Sequence, residues 1–111
     1  MTRTNTHKLP YFPLLLVALS LFSCQATALQ KHGQHYQQHQ DYKSLKKAVE
    51  LLPLGKDTAY VRSILGDPID MGFDFRYLID SVGPRGCAFG AVFHIQEGGK
   101  VDDKWIGEIC E

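Results

Sequence analysis

Two adjacent glycines, Gly98-Gly99, sit between two runs of alternating residues, and they leave the second half of this chain few ways to fold. Before them, Cys87, Phe89, Ala91, Phe93 and Ile95 alternate with Ala88, Gly90, Val92, His94 and Gln96. After them, Val101, Trp105 and Ile109 share one parity. A two-residue glycine loop between such runs predicts a tight antiparallel hairpin. In that register Cys87 lies directly opposite Cys110. A disulfide between them closes a loop of roughly 24 residues, worth about 3 kcal/mol in chain entropy. The alternative is a pair of buried free thiols. Apolar matching favours a register one residue over, with Phe93 facing Trp105 and Phe89 facing Ile109; a β-bulge at Gly107 would reconcile the two.

The periodicity upstream is helical until about Met71. Asp41 to Leu52 carries an apolar stripe of Tyr42, Leu45, Val49 and Leu52, with Asp41 or Ser44 as cap and Pro53 as terminator. Gly55 to Pro68 is a second, shorter helix with both ends written into it. Asp57 caps the N-terminus, Val61, Ile64 and Leu65 form the stripe, and Gly66 with Pro68 stops it. From Met71 the period becomes two, with Phe73, Phe75, Tyr77 and Ile79 on one face. Gly83-Pro84-Arg85-Gly86 is a turn. The predicted fold is α+β: two helices packed on a three-stranded antiparallel meander, ααβββ in two layers, over residues 41–111. Arg76, Leu78, Val92 and Ile106 fall on the parity assigned to an exposed mixed surface.

The N-terminus reads as delivery. Arg3 and Lys8 precede an apolar run from Tyr11 to Phe22, far shorter than the roughly 20 residues of a membrane-spanning helix. Residues 1–23 are therefore expected to be a secretory signal. Leu21-Phe22-Ser23-Cys24 fits a lipobox, which would make Cys24 the lipidated first residue of the mature chain. The competing reading is cleavage after Ala26-Thr27-Ala28, which discards Cys24 and leaves a soluble periplasmic protein starting at Leu29. Three cysteines are an odd number; lipidation of Cys24 leaves Cys87 and Cys110 to pair in an oxidising compartment. Gln25, not Asp, follows Cys24, which points to the outer membrane.

Residues 24–40 are rich in Gln and His and are expected to be a flexible tether reaching roughly 20–25 Å. His32, His35 and His39 would share a face if this segment were helical, making them weak metal-ligand candidates. Gly33 disfavours that helix, and no Cys or carboxylate joins the set.

The chain carries 12 basic and 12 acidic residues, which excludes the usual basic excess of a nucleic-acid binder. No G-x-S-x-G, H-E-x-x-H, C-x-x-C or phosphate loop is present. A Cys87/His94 dyad fails, because seven residues along a strand span roughly 23 Å and the two point to opposite faces. His94 faces Asp103 across the hairpin as a surface pair. No cofactor, no small-molecule substrate and no catalysis is expected.

The spacing of Gly55, Asp57, Val61, Leu65, Gly66 and Pro68 resembles the SmpA/OmlA (BamE-like) family of small outer-membrane lipoproteins. The family pattern is a Gly, a small cap two residues on, a Val six residues after the Gly, then Leu-Gly-x-Pro. Asp57 stands where Thr is usual, and the Cys87/Cys110 pair is not part of the general pattern. The resemblance covers roughly Leu45 to Cys110. It implies a two-layer α+β domain and a non-catalytic envelope role, with a protein partner that includes outer-membrane assembly machinery as a possibility. The alternative is a periplasmic inhibitor or immunity-type module on the same fold.

Overall fold

The structure, a computed structural model, describes residues 26–111. The expected signal at 1–23 and Cys24 lie outside the described residues. The fold is α+β, but with three helices rather than two and four strands rather than three. In chain order these are α1 (26–39), α2 (Tyr42–Leu51), α3 (Thr58–Leu65), β1 (Ile69–Asp70), β2 (Asp74–Val82), β3 (Ala88–Ile95) and β4 (Val101–Ile109). The sheet is antiparallel, in the order β1-β2-β3-β4.

The first correction is α1. Residues 26–39 form a helix, not a flexible tether. Its buried face consists of Leu29, Gly33 and Tyr36, spaced i, i+4, i+7. Gly33, which argued against a helix, is the contact point: a Cβ there would lie 2.2 Å from the Ile64 carbonyl oxygen of α3. The helix is tied down at its C-terminal end. Tyr36 Oη donates to the Leu78 carbonyl, and Gln37 Nε2 donates to the Ile64 carbonyl at 3.0 Å. Gln40 follows with φ 51°, and its carbonyl accepts from Asp80 N–H at 3.2 Å.

The other helices are capped as their residues dictate. Asp41 accepts from Ser44 N–H at 3.0 Å, and Asp57 accepts from Tyr60 N–H at 2.9 Å. α2 has no basic residue in its last turn; Lys104 of β4 supplies the charge, its Nζ donating to the carbonyls of Val49, Glu50 and Leu52. Burial pushes the Lys104 ammonium below its ordinary pKa, with Glu50 acting against that shift. The Gly55 segment does more than precede α3. Gly55 N–H donates to the Val101 carbonyl at 2.7 Å, and Val101 N–H donates to the Lys56 carbonyl at 2.9 Å. The loop thereby covers the start of β4 like a fragment of strand.

The fourth strand, β1, is two residues long and pairs Ile69 with Arg76 and Asp70 with Phe75. Arg62 of α3 braces it, with Nη2 on Asp70 at 3.2 Å and Nη1 on Asp67 at 3.1 Å, while its guanidinium stacks 4.8 Å from the Phe75 ring centroid. The covered face of the sheet carries Phe75, Tyr77, Ala91, Phe93 and Val101, which join Leu45, Leu52 and Val61 in the core. Ile106, expected on the exposed face, packs against this core, because the pairing Ala91↔Ile106 gives it the buried parity.

Candidate functional site

The face of the sheet that no described helix covers is built by strand register. Ile69 pairs with Arg76, Arg76 with Val92, and Val92 with Trp105, so one cross-strand row runs through all four strands. Val92 is buried at 5%, whereas Ile69 and Trp105 at the two ends remain 49% and 43% exposed. Gly107 lies beside Trp105 on the same face, and a Cβ there would sit 3.5 Å from the indole. The indole therefore lies over the Gly107 backbone at ordinary van der Waals distance.

Arg76 occupies the middle of that row. Its Nε donates to Asp74 Oδ1 at 3.2 Å, and Nη2 contacts Glu111. Hydrogen bonds that the guanidinium donates to Glu111 first and Asp74 second raise its already high pKa further, so it is a fixed positive charge. Asp74 is one of two buried polar side chains among the described residues. The row next to it holds Asp74, His94 and Asp103. His94 faces Asp103 in the register, as expected, but its Nδ1 bonds Asp102 Oδ1 at 2.6 Å. That hydrogen bond raises the pKa of the imidazole.

Asp102 is available because it is a bulge. The ladder pairs His94 with Asp103 but Ile95 with Val101. The loop is three residues long, 97–99, closed by Gln96 N–H donating to the Lys100 carbonyl. Both departures differ from the expected two-residue loop and the bulge at Gly107. Their offsets cancel, and Cys87 and Cys110 are disulfide-bonded with Cα atoms 5.3 Å apart. Across this end Glu108 Oε2 accepts from Arg85 N–H at 2.8 Å and Cys87 N–H at 3.0 Å.

A cleft of about 380 Å³ opens where α1, the end of α3 and the β1–β2 edge converge, with Tyr36, Gln37, Gly66, Asp67 and Arg76 in its wall. Its two phenols are committed. Tyr36 donates to Leu78, and Tyr77 donates to the Gly66 carbonyl at 2.8 Å. Burial pushes the Tyr36 hydroxyl up to about 12 and raises Tyr77 as well. Both are therefore protonated donors at neutral pH, unsuited to act as general bases.

The histidines separate on closer inspection. His32 is partly buried and lines a second cleft with His35, Asp41 and the lysines Lys31 and Lys43. His35 and His39 stand together, with ring centroids 4.4 Å apart. Among the described residues, three ligating side chains converge only at Cys87, Glu108 and Cys110, where both sulfurs are in the disulfide. Gly55, Asp57, Val61, Leu65, Gly66 and Pro68 hold α3 and its flanks in place; Asp57 is exposed but its carboxylate is taken up by the helix cap. No helix among the described residues is long and apolar enough to cross a membrane.

Sequence reasoning missed Ile69 because it missed β1, and it placed Trp105 on the parity of Val101 and opposite Phe93, whereas the bulge at Asp102 pairs Trp105 with Val92 on the other face of the sheet. The available signal was Gly72, whose φ of 86° makes the turn between β1 and β2, with Asp70 Oδ1 accepting from its N–H at 2.9 Å. No family model, no curated protein and no solved structure matches this chain.

Proposed function

We propose that this chain is a non-catalytic envelope lipoprotein, anchored through Cys24 to the outer membrane, whose open sheet face binds a protein partner during envelope maintenance or β-barrel assembly. The observation that carries this reading is the Ile69–Arg76–Val92–Trp105 row on a face that no described element covers. Trp and Arg dominate the energetics of protein interfaces, and an apolar floor with a charged centre is what a protein surface recognises. Both phenols of the main cleft donate to backbone carbonyls; Ser44 Oγ stands 2.6 Å from His35 Nδ1, but Ser44 is only 5% exposed and so is closed to a substrate.

Docking of α1 changes what the anchor does. Leu29 is 3% exposed and lies five residues from Cys24. Those residues reach at most roughly 17 Å, so a lipid on Cys24 would hold the domain against the bilayer rather than on a long tether. Cleavage after Ala28 would instead place a positively charged amine at the start of α1, against the helix dipole. This favours the lipidated form.

The test is mass spectrometry of the mature N-terminus, combined with capture from detergent-solubilised membranes using wild type and Trp105→Ala. Diacylated Cys24 and an outer-membrane partner lost on Trp105→Ala are the expected results. A mature chain starting at Leu29 that binds one soluble enzyme would instead establish the inhibitor reading.

A further inference from the structure

We propose that His35 and His39 form a two-imidazole binding site for a borderline divalent ion of the Ni²⁺, Cu²⁺ and Zn²⁺ class on the last turn of α1. The site is independent of the open sheet face. Residues four apart on a helix lie on the same face, one turn above the other. Here the helix runs regularly through both positions, and the rings are 4.4 Å apart with an interplanar angle of 40°. That spacing lets one ion meet a nitrogen from each ring.

The second observation is the orientation of His35. Its Nδ1 lies 2.9 Å from Asp41 Oδ1 and 2.6 Å from Ser44 Oγ. With Nδ1 turned to Asp41 and Ser44, Nε2 is the nitrogen left on the far side of the ring. A carboxylate behind a ligating imidazole is the usual partner of metal-bound histidines; it fixes the tautomer and raises the basicity of the free nitrogen. Ser44 itself is 5% exposed, so the group supporting the imidazole is rigid.

His39 is exposed, and among the described residues its only partner is the His35 ring. His32 shares its cleft with His35, but the ring contact joins His35 to His39 and does not include it. The ion would take two protein nitrogens and complete its shell with water. Imidazole suits this metal class, whereas Mg²⁺ and Ca²⁺ prefer oxygen.

Binding here would act on the helix end that closes the sheet. The next residue, Gln40, accepts from Asp80, and Tyr36 on the same turn donates to Leu78. Clamping residues 35 and 39 stabilises that turn and slows its opening.

The experiment is calorimetric titration of the tag-free protein with Zn²⁺ and Ni²⁺ at pH 7.5, with His39→Ala, His32→Ala and His94→Ala alongside. His39 is exposed and Ala favours the helix, so the variant folds. One ion per chain is expected, about tenfold or more weaker in His39→Ala and unchanged in the other two. Zn²⁺ should slow amide exchange of residues 36–40 in wild type, His32→Ala and His94→Ala, and not in His39→Ala. The proposal is overturned by absence of saturable binding, by unchanged affinity in His39→Ala, or by loss in His94→Ala.

Discussion

α1 and α3 meet at Gly33, yet they are held by different means. α3 buries three aliphatic side chains, Val61, Ile64 and Leu65, and is capped at both ends by its own residues. α1 buries one aliphatic side chain, Leu29, with a tyrosine and a glycine, and depends on hydrogen bonds from Tyr36 and Gln37 to other elements. The first is a helix that makes the core; the second is a helix placed by a core that already exists. The domain is thus expected to open in two stages, with α1 releasing before the sheet.

Four measurements break or sharpen that contrast. Leu65→Ala should cost about 3 kcal/mol in denaturant unfolding, with every probe shifting together, since it leaves a cavity in the common core. A shift confined to α1 would reverse the comparison. Gly33→Ala should cost about 2 kcal/mol, because the Ile64 carbonyl must move to admit a methyl group. Amide exchange in this variant should accelerate over 26–39 and stay slow in β2 and β3. Tyr36→Phe removes one donor and leaves the Leu78 carbonyl unpaired, for about 1 kcal/mol, again with faster exchange in α1 alone. The smallest effect lies far from both helices, at His94. Its hydrogen bond to Asp102 raises the imidazole pKa. The sign follows: the pair contributes fully below the ordinary histidine range, and the contribution fades as pH rises through the raised value. Proton NMR should show the His94 titration midpoint falling in Asp102→Asn, with α1 resonances unmoved.

The same contrast explains what could be read from the residues alone. α3 was legible because each of its signals is local: Asp57 at the start, a stripe at helical spacing, and Gly66 with Pro68 at the end. α1 was not, because its stripe is Leu29, Gly33 and Tyr36. A glycine counts against a helix until the neighbouring chain that needs its missing side chain is known. β1 escaped for a similar reason: two residues carry no period, and Ile69 gains its meaning only from pairing with Arg76. The hairpin shows a third case. Its loop is one residue longer than expected and its bulge sits at Asp102, yet Cys87 still faces Cys110 because the two offsets compensate. Of the candidate surface, Arg76 and Leu78 lie on the expected face and are partly exposed, whereas Val92 lies on that face but is buried at 5% between its cross-strand neighbours Arg76 and Trp105. Ile106 does not lie there, since the bulge exchanged the two faces of β4.

The Cys87–Cys110 bond also has a mechanical meaning. It joins positions 23 apart and encloses β3, the glycine loop and β4 in one covalent ring. A molecule held at its N-terminus and pulled at Glu111 transmits force through sulfur and bypasses the hairpin. Roughly 80 Å of contour length stays hidden until a reductant is added. Unfolding under load therefore proceeds from the helices toward the sheet, and the strands that carry Val92 and Trp105 are the last to lose their alignment.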